Sequence, residues 1–487
     1  MTRNALADYN ETKRWRPEFL VHVPRSSFFW VVDRILDSVL SNPRIIDQMF
    51  PSGTLRGECR KIITAGLHTA RVKGIRNLWS DVLQEWKEKA CYAKPDDHLT
   101  FLLHGNRRSA STRVPSVAII IPVYNAPDCL KKCLLSVLKN TPREHQILIV
   151  DDCNTDNQVM EILATLPTER CTILRNERNL GFVKSVNRGI TRIKDKHIII
   201  MNQDVEVPPN WIERIMLPIV DDSRVASVTP FSNGSTFTSF PEFCRSNMPY
   251  LGLHVEELDF YFERYGGDPV DVPSGVGFCM AMNRKAIDEV GVFDEEVFGR
   301  GFCEENDWCM RAWKKGYRNV AISNLFVCHR FGASFKDEKD RLSRINLRKV
   351  QKRHPEYLPW CAEFVRKDPF SSLRGCIKAI IDSNVSAKNH VLYLDTYTGR
   401  DREVCPETLL NSSRNDLLFA AWNTQGNTWV FSSGDYTSHI QDDLFTDRFK
   451  MLCRIFHVDR VLINRSIIGL SSFMKSIQLC GVPYDYV

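Results

Sequence analysis

Three apolar runs break off abruptly into polar or acidic residues: 117–125 (VAIIIPVYN), 147–152 (ILIVDD) and 198–204 (IIIMNQD). Short runs that are apolar at nearly every position read as parallel strands buried on both faces. Such strands deliver their polar ends to the carboxyl edge of a sheet, where ligands bind in open α/β folds. The pattern predicts strand 117–123, helix 128–139, strand 146–151, a helix from Asn157, strand 171–175, helix 183–193 and strand 197–202. That alternation calls for a right-handed parallel α/β sheet with helices on both faces.

A second pass of strand-like and helical stretches covers 225–352. Apolar runs then start again at 390–395 (HVLYLD), 428–431 (TWVF), 460–464 (RVLIN) and 482–487 (VPYDYV), which predicts a smaller α/β unit over 386–487. Its last run reads as a strand without the helix that normally covers one, so the expectation is a chain stopping inside a larger domain rather than on an edge strand. Ahead of the first strand, Phe28, Val32, Ile35, Leu36, Val39 and Leu40 keep a period near 3.6. So do Ile75, Leu78, Trp79, Val82, Leu83 and Trp86, which makes residues 1–110 a helical segment packed on its neighbour, with a membrane-facing amphipathic helix as the alternative. Residues 105–116, rich in Arg and Ser and closing on Pro115, read as a linker.

The length of 487 residues suggests about three units, and 43% apolar with 25% charged residues is ordinary for a globular chain. The net charge of +6 is concentrated in residues 1–110, with 18 Lys and Arg against 12 Asp and Glu, and reads as a solvated helix face rather than a site for an anionic membrane surface or a phosphorylated substrate; no nucleic-acid partner is expected. Sixteen cysteines without a CxxC pair, and no charged-apolar-small leader, fit a reducing cytoplasmic setting. No run approaches the roughly 20 apolar residues of a membrane span, so action at a membrane would be peripheral, at its inner face.

The chemistry sits where the strands end. Pro122, Tyr124 and Asn125 follow the first strand as an ordinary turn or as contacts to a base and ribose. Asp151 and Asp152 end the second, as helix caps or as acceptors of a base N–H. Asp204 ends the fourth with the oxygen donor that a hard divalent cation on a diphosphate requires. Further along, Glu304, Glu305 and Asp307 open a helix, where acids complement its dipole and Asp307 can pair with Arg311 four residues on.

Six stretches in this order, VAIIIPVYN, ILIVDDCNTDN, RNERNLGFVKSVNRGI, IIIMNQDVEVPPNWIERI, GVFDEEVFGRGFCEENDWCMRAWKKGYRNV and CHRFGASF, resemble family 2 glycosyltransferases of the GT-A fold, the rhamnosyltransferase-like branch in particular. The resemblance covers 115–340 and implies a GT-A domain over 115–360; the C-terminal unit is loosely similar to part of a GT-B, Rossmann-like domain. It implies nucleotide contacts from Pro122, Tyr124, Asn125, Asp151, Asp152, Asn179, Gly181, Lys184, Asn202 and Gln203. It further implies Mn2+ or Mg2+ on Asp204 and His329, acceptor or sugar contacts from Ser274, Gly275 and Trp308, and a catalytic base at Glu305 with Glu304 and Asp307 contacting the acceptor or fixing the helix.

A glutamate of ordinary pKa, about 4.3, is ionised at neutral pH and can take a hydroxyl proton. The implied activity is inverting transfer of a hexose or deoxyhexose from a UDP- or dTDP-type sugar to a hydroxyl of a glycan or lipid-linked acceptor, in bacterial surface polysaccharide synthesis. Two rivals stand beside it. A nucleotidyltransferase would need a glycine-rich basic loop that 125–129 (NAPDC) does not have. A scaffold without turnover draws on Asn202, which replaces the first acid of a DxD pattern.

Overall fold

In the computed structural model the chain divides into Met1–Pro95 and Asp96–Val487. The structure describes residues 98–104, 114–330, 336–397, 415–423, 428–464 and 471–486. Both periodic stretches of the first 90 residues, and residues 105–113 of the expected linker, lie outside that set.

The described part opens with helix α1 (His98–His104) and strand β1 (Val117–Val123). Then follow α2 (Pro127–Asn140), β2 (Gln146–Asp151), α3 (Asn157–Ala164), β3 (Cys171–Arg175), α4 (Phe182–Arg192) and β4 (His197–Met201), close to the expected bounds. Strands β3, β2, β1 and β4 lie side by side and all parallel. Side chains of β1, β2 and β4 alternate between two packed faces, while the edge strand β3 leaves Thr172, Ile173 and Arg175 exposed. Val117, Ile119, Ile121 and Val123 meet Leu130, Cys133, Leu134 and Val137 of α2, while Ala118 and Ile120 meet Val183, Val186 and Ile190 of α4. Burial on both faces is why the strands read as unbroken apolar runs.

Beyond β4 the sheet turns mixed. β5 (Val205–Glu206), α5 (Trp211–Asp221), β6 (Val225–Ser232), α6 (Val255–Tyr265), β7 (Val270–Asp271) and β8 (Cys279–Met282) are followed by α7 (Arg284–Val290), α8 (Glu295–Phe298), α9 (Glu304–Lys314) and β9 (Arg318–His329). The strand order is β3-β2-β1-β4-β8-β6-β9-β5, with β7 also on β9. β8 runs antiparallel to β4 and β6, and β6 runs parallel to β9. As a result, the carboxyl ends of β1, β2, β4, β6 and β9 and the amino end of β8 share one edge. This is the GT-A arrangement, and every candidate residue above except those on the α4 and α9 helices and their lead-in loops sits on that edge.

Helices α10 (Lys336–Arg353), α11 (Tyr357–Lys367) and α12 (Ser371–Val385) lead to a second sheet. It contains β10 (Asn389–Tyr397), β11 (Asn415–Asn423), β12 (Thr428–Ser433), β13 (Tyr436–Gln441), β14 (Val458–Ile463) and β15 (Tyr484–Tyr486), with α13 (Asp442–Ile455) and α14 (Ser471–Cys480). The order is β13-β12-β11-β10-β14-β15, with β15 on an edge. Four of these strands match the apolar runs. β11 and β13 were not among the expected strands: β13 buries only Tyr436, Ser438 and Ile440 of YTSHIQ and shows no run, whereas β11 does carry one, LLFAAW, that the expected set left out.

One buried cluster joins the two sheets through Ile377, Ile380 and Ile381 of α12. α1 belongs to it by Leu99, Leu102 and Leu103, and His98 donates from Nε2 to the Tyr265 carbonyl at 2.5 Å while its backbone N–H donates to Ser372 Oγ at 2.9 Å. Residues 98–104, expected within the N-terminal segment, are therefore built into the α/β core. Among the described residues no helix is long and apolar enough to cross a membrane.

Candidate functional site

The loops expected to contact a nucleotide are held by buried amides and carboxylates. Asn125 and Ala126 both take left-handed backbone (φ 55° and 56°) just before α2, and Gln203 clamps the turn, accepting from the Tyr124 N–H (2.9 Å) and donating to the Tyr124 and Asn125 carbonyls. The Tyr124 ring remains 44% exposed, and the side-chain oxygen of Asn125 is buried without a hydrogen-bond partner. Both are poised for a planar, polar ligand. Pro122 lies inside β1 rather than at its end, paired with Val150.

Asp151 and Asp152 are buried and already engaged. Asp151 accepts from the Asn154 N–H and side-chain amide (2.9 and 2.7 Å) and lies 3.4 Å from Arg175. Asp152 accepts from Asn176 (2.8 Å), from the Leu180 N–H (2.7 Å) and, on its other oxygen, from the Gly181 N–H (2.9 Å). That last set fixes the loop into α4. Gly181 has φ 83° and its Cα faces Arg300, whose own Cα would stand 3.1 Å from an added Cβ, so only glycine fits there. Asn179 accepts from Arg300 (3.0 Å), and Lys184 rides half-buried on the first turn of α4.

At the end of β4, the Asn202 N–H donates to the Phe278 carbonyl (2.8 Å). Asp204 follows, and its Oδ1 stands 3.3 Å from Nε2 of His329 on the paired strand β9. His329 places Nδ1 3.1 Å from the Gly234 carbonyl. A carbonyl only accepts, so Nδ1 donates there and Nε2 is the ring atom turned toward the Asp204 carboxylate. An imidazole nitrogen and a carboxylate oxygen at this distance are groups that can share a cation, and the carbonyl behind the ring is the usual support of a metal-binding histidine. Among the described residues no cluster of three His, Cys, Asp or Glu side chains completes such a site. A hard cation here would take its remaining oxygens from a diphosphate and water, as Mg2+ and similar ions commonly do.

The acids of α9 separate into two kinds. Glu304 and Glu305 are enclosed, and each has a carboxylate oxygen buried without a partner. Burial, and then the neighbouring Glu305 charge, push Glu304 well above the usual carboxylate range; burial raises Glu305, only partly offset by backbone N–H groups including that of Gly277. Against the ordinary value expected of it, the Glu305 carboxyl is thus raised, which makes its ionised form a stronger base. Glu304 points toward Gly301, and Glu305 lies against Gly277, at 3.9 Å from the position of an added Cβ. The next residue, Phe278, stacks on His329 with ring centroids 5.2 Å apart. One short turn thus joins Glu305 to the Asp204–His329 pair.

Asp307 faces the other way. Fully buried, it accepts from Arg311 (2.8 Å), Arg353 (3.2 Å) and His354 (3.0 Å). Burial favours its neutral form, but these partners outweigh that and hold its pKa below the ordinary value. Its geometry is that of a helix anchor, not an acceptor contact. Three other expected contacts are also taken inward. Trp308 is a core residue whose indole N–H donates to the Gly291 carbonyl (2.8 Å). Ser274 accepts from Asn306 (2.8 Å) and meets the Tyr357 hydroxyl at 3.1 Å. Gly275 gives its N–H to Cys309 Sγ at 3.2 Å, with no room for a side chain against Met280. The open part of that turn is Gly277.

Two positioning amides escaped the sequence reading. Asn346 of α10, buried, donates to the Phe298, Gly301 and Phe302 carbonyls at 2.8 to 3.1 Å and so shapes the glycine-rich lead-in to α9. Asn233, just past β6, brackets the backbone of His329. Their partners lie 44 to 96 residues away, beyond any local spacing signal.

Residues 118–291 match the family model described as Glycosyl transferase family 2. The chain is 26% identical over 240 residues to N-acetylglucosaminyl-diphospho-decaprenol L-rhamnosyltransferase of Mycobacterium tuberculosis, covering 44% of this chain and 75% of that protein. It is 28% identical over 116 residues to an uncharacterized glycosyltransferase of Haemophilus influenzae, and 25% identical over 242 residues to human polypeptide N-acetylgalactosaminyltransferase 15, covering 23% and 46% of this chain. The match spans only 36% of the length of each of these two relatives. Among solved structures, the mannosyltransferase PcManGT from Pyrobaculum calidifontis with GDP-Man and Mn2+ aligns over 67% of this chain and 87% of its own, at 16% identity and a TM-score of 0.42. GalNAc-T7 with UDP, GalNAc and Mn2+ aligns over 45% of this chain and 44% of its own, at 17% identity and a TM-score of 0.36.

Proposed function

Because this chain carries a family 2 glycosyltransferase domain in its first sheet, we propose that it moves a sugar, with inversion, from a nucleotide-diphosphate donor to a hydroxyl of a glycan or lipid-linked acceptor. The observation that carries this reading is the turn 277–278, which rests Glu305 on one side and stacks on His329 on the other. Base and diphosphate-facing pair thereby meet at one sheet edge.

In this mechanism the loops ending β1, β2 and β4 grip the nucleotide. Asn125 offers its unpaired oxygen, the Tyr124 ring lies open beside it, and Asp152 and Gly181 shape the loop that passes the phosphates. A divalent cation held by Asp204 and His329 would neutralise the leaving diphosphate. Glu305 takes the proton of the acceptor hydroxyl as its oxygen attacks the anomeric carbon from the face opposite the diphosphate. One carbon–oxygen bond forms, another breaks, the electron pair leaves with the diphosphate, and no covalent enzyme intermediate is needed. A lipid-linked glycan is the acceptor class we favour, since the rhamnosyltransferase relative is named for a diphospho-decaprenol compound; such an acceptor suits work at the inner face of a membrane in surface polysaccharide synthesis.

The test is a panel of UDP-, dTDP- and GDP-sugars, scored by release of free diphosphate with and without Mn2+, on the native chain and on Glu305→Gln. Turnover that falls about 10²- to 10⁴-fold in the variant while nucleotide binding persists supports the base assignment. Binding without turnover of any donor by the native chain would instead make it a scaffold.

A further inference from the structure

Past β6, the chain leaves at Asn233, loops out, and returns at Ser246 and Asn247. Gly234 and Ser246 form an antiparallel bridge, and the Asn247 N–H donates to the Asn233 carbonyl (2.8 Å). The Asn233 side chain, 2% exposed, is the centre of this neck. Its oxygen accepts from the His329 N–H at 2.8 Å, and its amide nitrogen donates to the His329 carbonyl (2.9 Å) and to the Asn247 carbonyl (3.0 Å). A side-chain amide here continues the sheet by one step after the backbone pairing of β6 with β9 ends at Ser232 and Val327. Meanwhile the adjacent Gly234 carbonyl takes the ring Nδ1 of His329. Both peptide groups and the ring of one histidine are thus set by two consecutive residues.

We propose that Asn233 is a positioning residue for the cation pair: it holds the His329 backbone so that Nε2 meets Asp204, and it ties that histidine to the 234–246 loop. The inference rests on the proposed function, since it presumes that Asp204 and His329 share a cation. The geometry allows few substitutes. An asparagine presents donors and an acceptor in one plane. Aspartate would keep the bond from the His329 N–H but set an anionic oxygen against two carbonyls. Leucine, of similar size, would leave two carbonyls and an N–H buried without partners. Groups that orient a metal-binding histidine typically change metal affinity by 10- to 100-fold when removed.

The experiment is calorimetric binding of UDP, dTDP and GDP with and without MnCl2, on the native chain and on Asn233→Leu, Asn233→Asp and His329→Ala, with thermal unfolding alongside. The expected result is a native chain whose diphosphate binding is strengthened by Mn2+. In Asn233→Leu that Mn2+-dependent gain falls at least tenfold, and in Asn233→Asp by less, while metal-free binding stays within about twofold. Asn233→Asp is close to isosteric and keeps the test informative if the leucine variant unfolds. A gain that survives in both Asn233 variants but is lost in His329→Ala overturns the role of Asn233 alone. Should the native chain show no Mn2+-dependent gain, or His329→Ala keep it, the cation reading and this inference fall together.

Discussion

Oδ1 of Asp204 and Nε2 of His329 face each other across 3.3 Å, brought there by the antiparallel pairing of Val205 with His329. Because both would hold the same ion, their contributions to it are not independent. Asp204→Ala and His329→Ala should each remove most of the Mn2+-dependent gain in nucleotide-diphosphate affinity. The double variant should lose little more than either single one. Calorimetric titration of the three proteins measures this directly; additive losses would mean that the two side chains serve different ligands.

Burial lifts Glu305 above the ordinary carboxylate value, and the sign of its effect on rate follows. A base works deprotonated, so activity should fall as pH drops through its pKa. The acid limb of kcat/KM against pH, which reports the free enzyme, should lie above the value of about 4.3 for a solvated glutamate. A limb at or below that value would show that the essential carboxylate is a solvated one, and Glu305 would lose its assigned role.

Glu304 affects stability in the same sense. Its folded pKa is raised by burial and then by the Glu305 charge. The folded state therefore holds a proton that the unfolded chain releases earlier, so this group's contribution is fully present below about pH 4.3 and is lost as pH rises through the folded value. Glu304→Gln removes that loss. The variant should melt at a higher temperature than the native chain at pH 8, with the gap closing toward pH 4. Equal gaps at both pH values would show that the side chain ionises freely.

The parts of this molecule that were legible in its sequence are those written in local patterns. β1, β2 and β4 are apolar at successive positions because both faces are covered, and their bounds stood out between Val117 and Met201. Asp204, Glu305 and His329 were legible for another reason, that their neighbours resemble a known family. What stayed hidden is what the fold alone assembles. β8 is four residues of CMAM, and β5 and β7 are two residues each, too short for any period. Asn233 and Asn346 look like ordinary polar residues until distant carbonyls are folded onto them. Trp308 follows three acids and an amide in the sequence, yet it is a fully buried core residue, one helical turn on from Glu304 and Glu305.

Asp307 shows why such a turn matters for the site. It is two residues from Glu305, so on a helix it points about 200° away, and it binds α9 to Arg353 and His354 at the end of α10. Its pKa is lowered overall, so its stabilisation is present above the unfolded value of about 3.9 and is lost as pH falls through the folded value. Removing one partner of a fully buried ionic group leaves the others uncompensated, at a cost of about 3 to 5 kcal/mol. Asp307→Ala should therefore lower denaturant stability by about that amount at pH 7, and by progressively less as pH falls below about 3.9. Such a variant should lose turnover through misplacement of Glu305, while its nucleotide affinity, set at β1, β2 and β4, stays within a few-fold. A variant that is as stable as the native chain yet inactive would instead place the Asp307 carboxylate among the reacting groups, and the division of labour along α9 would have to be redrawn.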